Sequence, residues 1–136
     1  MTMFSDSKAF SGIATDDTDA ARAFYADTLG LQVEDLGMGG LLGLRLAGGG
    51  QVMVYPKPDY TPATYTVLSF PVPDLDKAVD DLVAAGVTME RYDGFDQDER
   101  GIARDSGGPA IAWFKDPAGN VFAVLDQSAM AGATER

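Results

Sequence analysis

The chain repeats itself. Asp17, Asp19 and Ala21 recur as Asp74, Asp76 and Ala78 at one constant separation, with an apolar extended stretch before each acidic residue and a helix-length segment after it. The two segments end at Leu29-Gly30-Leu31 and Ala85-Gly86-Val87. A chain of 136 residues, 46% of them hydrophobic, can form one domain or two half-size modules packed together. The repeat selects the second arrangement.

Local chemistry explains why each copy starts and stops where it does. Asp17 and Asp74 can cap their helices by accepting from free backbone N–H groups, and Asp19 suits the positive end of the first helix dipole. The first helix presents Ala21, Phe24 and Tyr25 as its apolar face. The second presents Leu75, Ala78, Val79, Leu82 and Val83, the spacing of a buried stripe. Gly30 and Gly86 suit the helix stops, where a left-handed residue is wanted.

Strand signals follow each helix. In the first half they cover Leu31 to Leu36, Leu41 to Ala47 and Gln51 to Tyr55, with Gly48, Gly49 and Gly50 making a hairpin. In the second half they cover Val87 to Tyr92, a short Ile102 to Arg104, Ala110 to Lys115 and Val121 to Leu125. Asp116-Pro117-Ala118-Gly119 reads as a turn. The modules are therefore expected at 8–56 and 64–127, each β-α-β-β-β, joined by a proline-rich linker over 56–63. A small, polar tail, 128–136, is expected to be flexible.

Composition removes several kinds of chemistry. With no cysteine and no histidine there is no disulfide, no thiolate and no imidazole to act as ligand, nucleophile or base. A formal charge of -11 repels phosphate backbones and anionic lipids, so neither nucleic acid nor a membrane surface is expected as a partner. The same acidity is compatible with a cationic ligand. No run of about 18 apolar residues and no secretory leader is visible, so a cytoplasmic location is the default expectation.

Two β-α-β-β-β modules, the string Phe24-Tyr25 followed by Leu29-Gly30-Leu31, and Phe114-Lys115-Asp116-Pro117-Ala118-Gly119-Asn120 together resemble the vicinal oxygen chelate superfamily, over roughly residues 8–127. That superfamily includes glyoxalases, extradiol dioxygenases, fosfomycin-resistance transferases and metal-free antibiotic-binding proteins. The resemblance implies an α+β fold, in which two βαβββ modules with mixed curved sheets form a cavity, and a homodimer. It also implies a divalent metal held by His or Glu on the first and last strands of the modules. Carried over position by position, the ligand places fall on Phe10, Val54, Val67 and Ala123. None has a donor for a hard or borderline cation, so these are vestigial metal positions and no metal or other cofactor is expected.

What remains is an apolar cavity for a small organic molecule. Tyr55, Trp113, Phe10, Met53 and Tyr92 are its candidate walls, although large aromatics bury area wherever they lie. Arg45 is a candidate to orient an anionic or carbonyl group, or simply a solvent-facing strand residue. Asp93, Asp96, Asp98 and Glu99 cluster around Gly94 as a lid or a solvated loop. The reading is metal-independent binding of a partly aromatic, optionally cationic molecule, as in bleomycin-resistance-like sequestration, with no catalytic residue assigned. The alternative is a glyoxalase- or dioxygenase-like enzyme that uses carboxylate or phenol groups or a relocated metal.

Overall fold

The computed structural model describes residues 3–104 and 108–130. The chain divides into two compact units, Met1–Tyr60 and Thr61–Arg136. The architecture is α+β, with one mixed sheet in each unit.

The first unit runs β1 (Ser11–Thr15), α1 (Thr18–Ala23), a π-helical turn (Phe24–Thr28), β2 (Gln32–Asp35), β3 (Leu42–Arg45) and β4 (Gln51–Pro56). Its sheet has the order β1-β4-β3-β2, with β1 parallel to β4 and the other pairs antiparallel. Asp17 caps α1 as its type predicts, one carboxylate oxygen accepting the Ala20 N–H at 3.1 Å. The helix is shorter than its repeat partner. After Ala23 it widens, so that the Leu29 N–H reaches back to the Phe24 carbonyl at 3.0 Å. Tyr25 is fully buried by this arrangement, along with Ala21. One sheet face carries Ile13, Leu42, Leu44, Val52 and Val54, all buried. Alternation sends Gly12, Gly43, Arg45, Met53 and Tyr55 to the other face.

The second unit runs β5 (Thr66–Val72), α2 (Leu75–Ala84), β6 (Ile111–Lys115) and β7 (Val121–Asp126), closed by a 3-10 turn at Gln127–Met130. Its sheet has the order β5-β7-β6, with β5 parallel to β7. Asp74 repeats the cap of Asp17, accepting the Lys77 N–H at 3.1 Å. At the other end of α2, Gly86 at φ +97° allows paired bonds from Val87 N–H to Leu82 and from Gly86 N–H to Val83.

Two expectations for this unit are corrected. The strand expected over Val87 to Tyr92 does not form, and Ile102 to Arg104 contributes only an isolated bridge at Ala103. The Glu90 N–H still donates to the Trp113 carbonyl at 2.8 Å, and Ala103 pairs with Ile111 in both directions. Between those points, Gly94 (φ +93°) and Gly101 (φ +84°) turn the chain, and no ladder can run through such turns. The second correction is Val83, expected in the buried stripe of α2 but 54% exposed. Leu75 and Val79 are buried, whereas the last turn overhangs an open groove of about 620 Å³ lined by Val83, Val87 and Met89. Of the expected flexible tail, 131–136 lies outside the described residues, while Ser128 is tied to the Asp126 carboxylate through its N–H and hydroxyl.

Candidate functional site

Strand alternation in the second unit separates two apolar faces. Ala112, Phe114, Phe122 and Val124 form one, with Phe114 stacked on Phe122 at 5.6 Å. Trp113, Val121 and Ala123 form the other and cluster with Ala103. Trp113 stands directly opposite Ala123 in the ladder, so the small methyl leaves room for the indole beside it. Tyr92 meets the indole edge-on, with ring centroids 5.4 Å apart and planes at 79°. Phe95 lies closer, at 4.9 Å and 50°.

The loop that brings these two rings to Trp113 is held by one side chain. The Gln97 carboxamide accepts the Tyr92 N–H at 2.8 Å and donates to the carbonyls of Glu90 and Gly101 at 3.0 and 2.7 Å. It thereby supplies the partners that the missing strand would have given these groups. Replacing Gln97 by Ala is expected to cost about 2 kcal/mol, because backbone groups lose their partners where water is scarce. Faster hydrogen exchange of the Tyr92 amide, measured beside a denaturant curve, checks this directly.

The acidic residues of this loop divide by role. Burial pushes the Asp98 carboxyl upward, but hydrogen bonds from the Ile102 N–H, Arg104 and the Arg100 N–H outweigh it and hold the group below its ordinary value. Asp98 is thus spent on shaping the chain, and Arg104 in turn reaches Asp76 on α2. Asp93 and Asp96 remain exposed on either side of Gly94-Phe95. The Tyr92 phenol moves the other way. Burial raises its pKa, the nearby Glu90 charge adds to the rise, and its hydroxyl is a buried polar atom without a hydrogen-bond partner among the described residues.

The remaining candidates lie in the first unit. Met53, Tyr55 and Arg45 share the face opposite the buried one, and the Tyr55 ring lies over Gly12. Tyr55 is 42% exposed. Arg45 is paired with Glu34 of the neighbouring strand, so its charge is already answered. Phe10 precedes β1 and is 62% exposed. Sequence reasoning missed Phe95 and Gln97. The available signal was an aromatic residue directly after Gly94 in an otherwise acidic loop.

Ladder register also corrects one of the positions carried over from the resemblance. Arg45 opposite Gln51 corresponds to Lys115 opposite Val121, so the counterpart of Ala123 is Met53 and not Val54. Counting from the turn glycines slipped by one, because Gly50 occupies the place of Asn120 and not of Gly119. Val54 is on the buried face with Leu42. Val67 lies where the β5–β7 register shifts between Thr66 and Leu68.

A family model described as a glyoxalase-like domain matches residues 11–125. The chain belongs to the glyoxalase-like family. With that family comes the vicinal oxygen chelate superfamily, and solved structures agree in fold. The genomically encoded fosfomycin resistance protein FosX from Listeria monocytogenes is 14% identical, with a TM-score of 0.70 over 98% of this chain and 100% of that one. The lactoylglutathione lyase of Agrobacterium tumefaciens is 22% identical, with a TM-score of 0.64 over 90% and 95%. TnmS3, an antibiotic binding protein from a Streptomyces species, is 22% identical, with a TM-score of 0.62 over 87% and 94%. No curated protein matches the sequence.

The divalent metal that the superfamily implies does not fit this glyoxalase-like chain. With the register corrected, Phe10, Met53, Val67 and Ala123 offer one thioether and no carboxylate or imidazole. Among the described residues, no group of three or more Asp or Glu side chains could hold an ion elsewhere. Nor is any described helix long and apolar enough to cross a membrane.

Proposed function

We propose that this glyoxalase-like protein binds a small, partly aromatic organic molecule without a metal, using the Trp113 face of its second unit. The observation that carries the reading is the convergence of Trp113, Tyr92 and Phe95 beside Ala123, where a metal-binding relative needs a donor atom. An apolar and aromatic lining of this kind recognises rings by burial and aromatic contact. The exposed carboxylates of Asp93 and Asp96, with an overall charge of -11, favour a cationic ligand over an anionic one. Similarity in fold to a protein named as antibiotic-binding supports sequestration as the role. A homodimer and a cytoplasmic location belong to the same reading.

The alternative, an enzyme using carboxylate or phenol groups or a relocated metal, would be favoured by a carboxyl held above its usual pKa, ready to give up a proton near neutrality. Among the described residues, the carboxyls that shift, Asp98 and Asp126, shift downward. Thermal unfolding with and without EDTA, against a panel of cationic aromatic compounds and divalent ions, tests the proposal. A ligand selective for the native state stabilises it by about 2.7 kcal/mol at a hundredfold excess over Kd. The expected result is stabilisation by an aromatic compound that EDTA leaves unchanged and that Trp113→Ala reduces at least tenfold in affinity. Stabilisation that appears only with a divalent ion would overturn the reading.

A further inference from the structure

We infer that Phe95 occupies the ligand's own place on the Trp113 indole, and that the Tyr92 hydroxyl is the donor that reads an acceptor on the ligand once Phe95 has moved aside. The inference rests on the aromatic-binding reading above and adds to it a specificity residue, a displaceable plug and a ligand class, aromatic carbonyl compounds.

The Phe95 ring lies 4.9 Å from the indole with its plane tilted by 50°, a close aromatic contact, yet the residue is 44% exposed. An aromatic side chain that covers a buried tryptophan while staying half in water holds its place weakly. Its backbone is built to move. Tyr92 and Gln97 fix the two ends of the loop through the Gln97 carboxamide and the Gln97–Ala103 bridge. Between them Gly94 takes φ +93°, and neither Asp93 nor Asp96 makes an ion pair or side-chain hydrogen bond among the described residues. Rotation about Gly94 can therefore carry Phe95 off the indole at the cost of the Asp93-Gly94 turn, without breaking an ion pair or a side-chain hydrogen bond among the described residues.

Tyr92 supplies the second, independent observation. Its hydroxyl is buried and unpaired among the described residues, while its ring is fixed edge-on against Trp113. Buried hydroxyls normally find partners, and one left without a partner is costly in the free protein. A ligand oxygen that accepts from it would recover that cost, so the site discriminates by the acceptor and not by the ring alone. Burial and the Glu90 charge keep the phenol protonated across the neutral range, as a donor must be. The Glu90 charge acting on it, with Asp93 and Asp96 exposed in the same loop, disfavours a carboxylate as the acceptor and favours a neutral carbonyl on a neutral or cationic ring.

Acetophenone and ethylbenzene test this as probes, since they share a ring and a two-carbon substituent and differ in the carbonyl oxygen. Trp113 is the single tryptophan, so its indole N–H gives one resonance in 15N-labelled protein that reports binding of either probe. The full chain is expected to bind acetophenone about tenfold more tightly than ethylbenzene. Phe95→Ala should tighten both about fivefold by removing the internal competitor. Tyr92→Phe should erase the preference for acetophenone and leave the free protein at least as stable as the parent, because the orphan hydroxyl is gone. Weaker binding of both probes in Phe95→Ala would make Phe95 a wall and not a plug. A preference that survives Tyr92→Phe would overturn the assignment of the donor. If neither probe moves the resonance in the parent or in Phe95→Ala, the Trp113 site itself fails, and this inference fails with it.

Discussion

Phe122→Ala is expected to remove about 4 kcal/mol of stability, the range for truncating a fully buried aromatic side chain. The ring is inaccessible to solvent, stacks on Phe114 at 5.6 Å and lies 6.3 Å from Phe70 across the parallel ladder. It thus joins all three strands of the second sheet from one side. Trp113 depends on this indirectly, because β6 is positioned by its ladder to β7, and the ring at 122 packs that ladder against the rest of the unit. Small domains are stable by about 5–15 kcal/mol, so the loss would show plainly as a lower urea midpoint. Phe122→Leu, which keeps most of the volume, should recover more than half of it. A loss below about 1 kcal/mol for the alanine variant would mean that this face is not the support of the sheet.

Asp116→Ala is expected to cost about 3 kcal/mol, although it removes few atoms. The carboxylate is buried at the β6–β7 turn and accepts the N–H groups of Ala118 and Asn120 at 3.0 and 2.8 Å, and the Asn120 amide at 3.0 Å. Hydrogen bonds to a charged group are stronger than neutral ones, and their loss here leaves donors stranded in a buried turn. Asp116→Asn keeps an acceptor and should fall between parent and alanine. Denaturant unfolding of the three proteins gives the order, and equal stabilities would refute the account of the turn. Because the turn sets the register that brings Trp113 opposite Ala123, Asp116→Ala should also weaken any ligand held at the indole.

In the proposed reading, stability and ligand binding share one sheet but use its two faces. Phe114 and Phe122 on one side are packed against each other, and replacing them affects folding first. Trp113 on the other side is approached by rings from a loop, and changes in that loop should alter binding with little effect on the core. Gln97 stands between the two roles, since it is a loop residue whose loss would loosen both Tyr92 and the strand edge.

Repeats, caps and turns were legible in the sequence because they depend on contacts a few residues long. Asp17 and Asp74 accept from N–H groups three residues ahead, and Asp116 from groups two and four ahead, so residue type and spacing suffice to place them. Absence was equally legible: a chain without His or Cys cannot build an imidazole or thiolate metal site in any register. Tertiary structure alone decided which face each strand presents. A one-residue slip reverses every side chain, and that is how Val54 stood in for Met53 in the count from the turn glycines. It alone decided that the Val87 to Tyr92 segment would be braced by a glutamine ten residues beyond Val87 and not paired as a strand, since a side chain can replace a ladder only when a turn returns it to the same place. Phe95 meets Trp113 by the same return of the chain, and no periodicity over 93–99 encodes that contact.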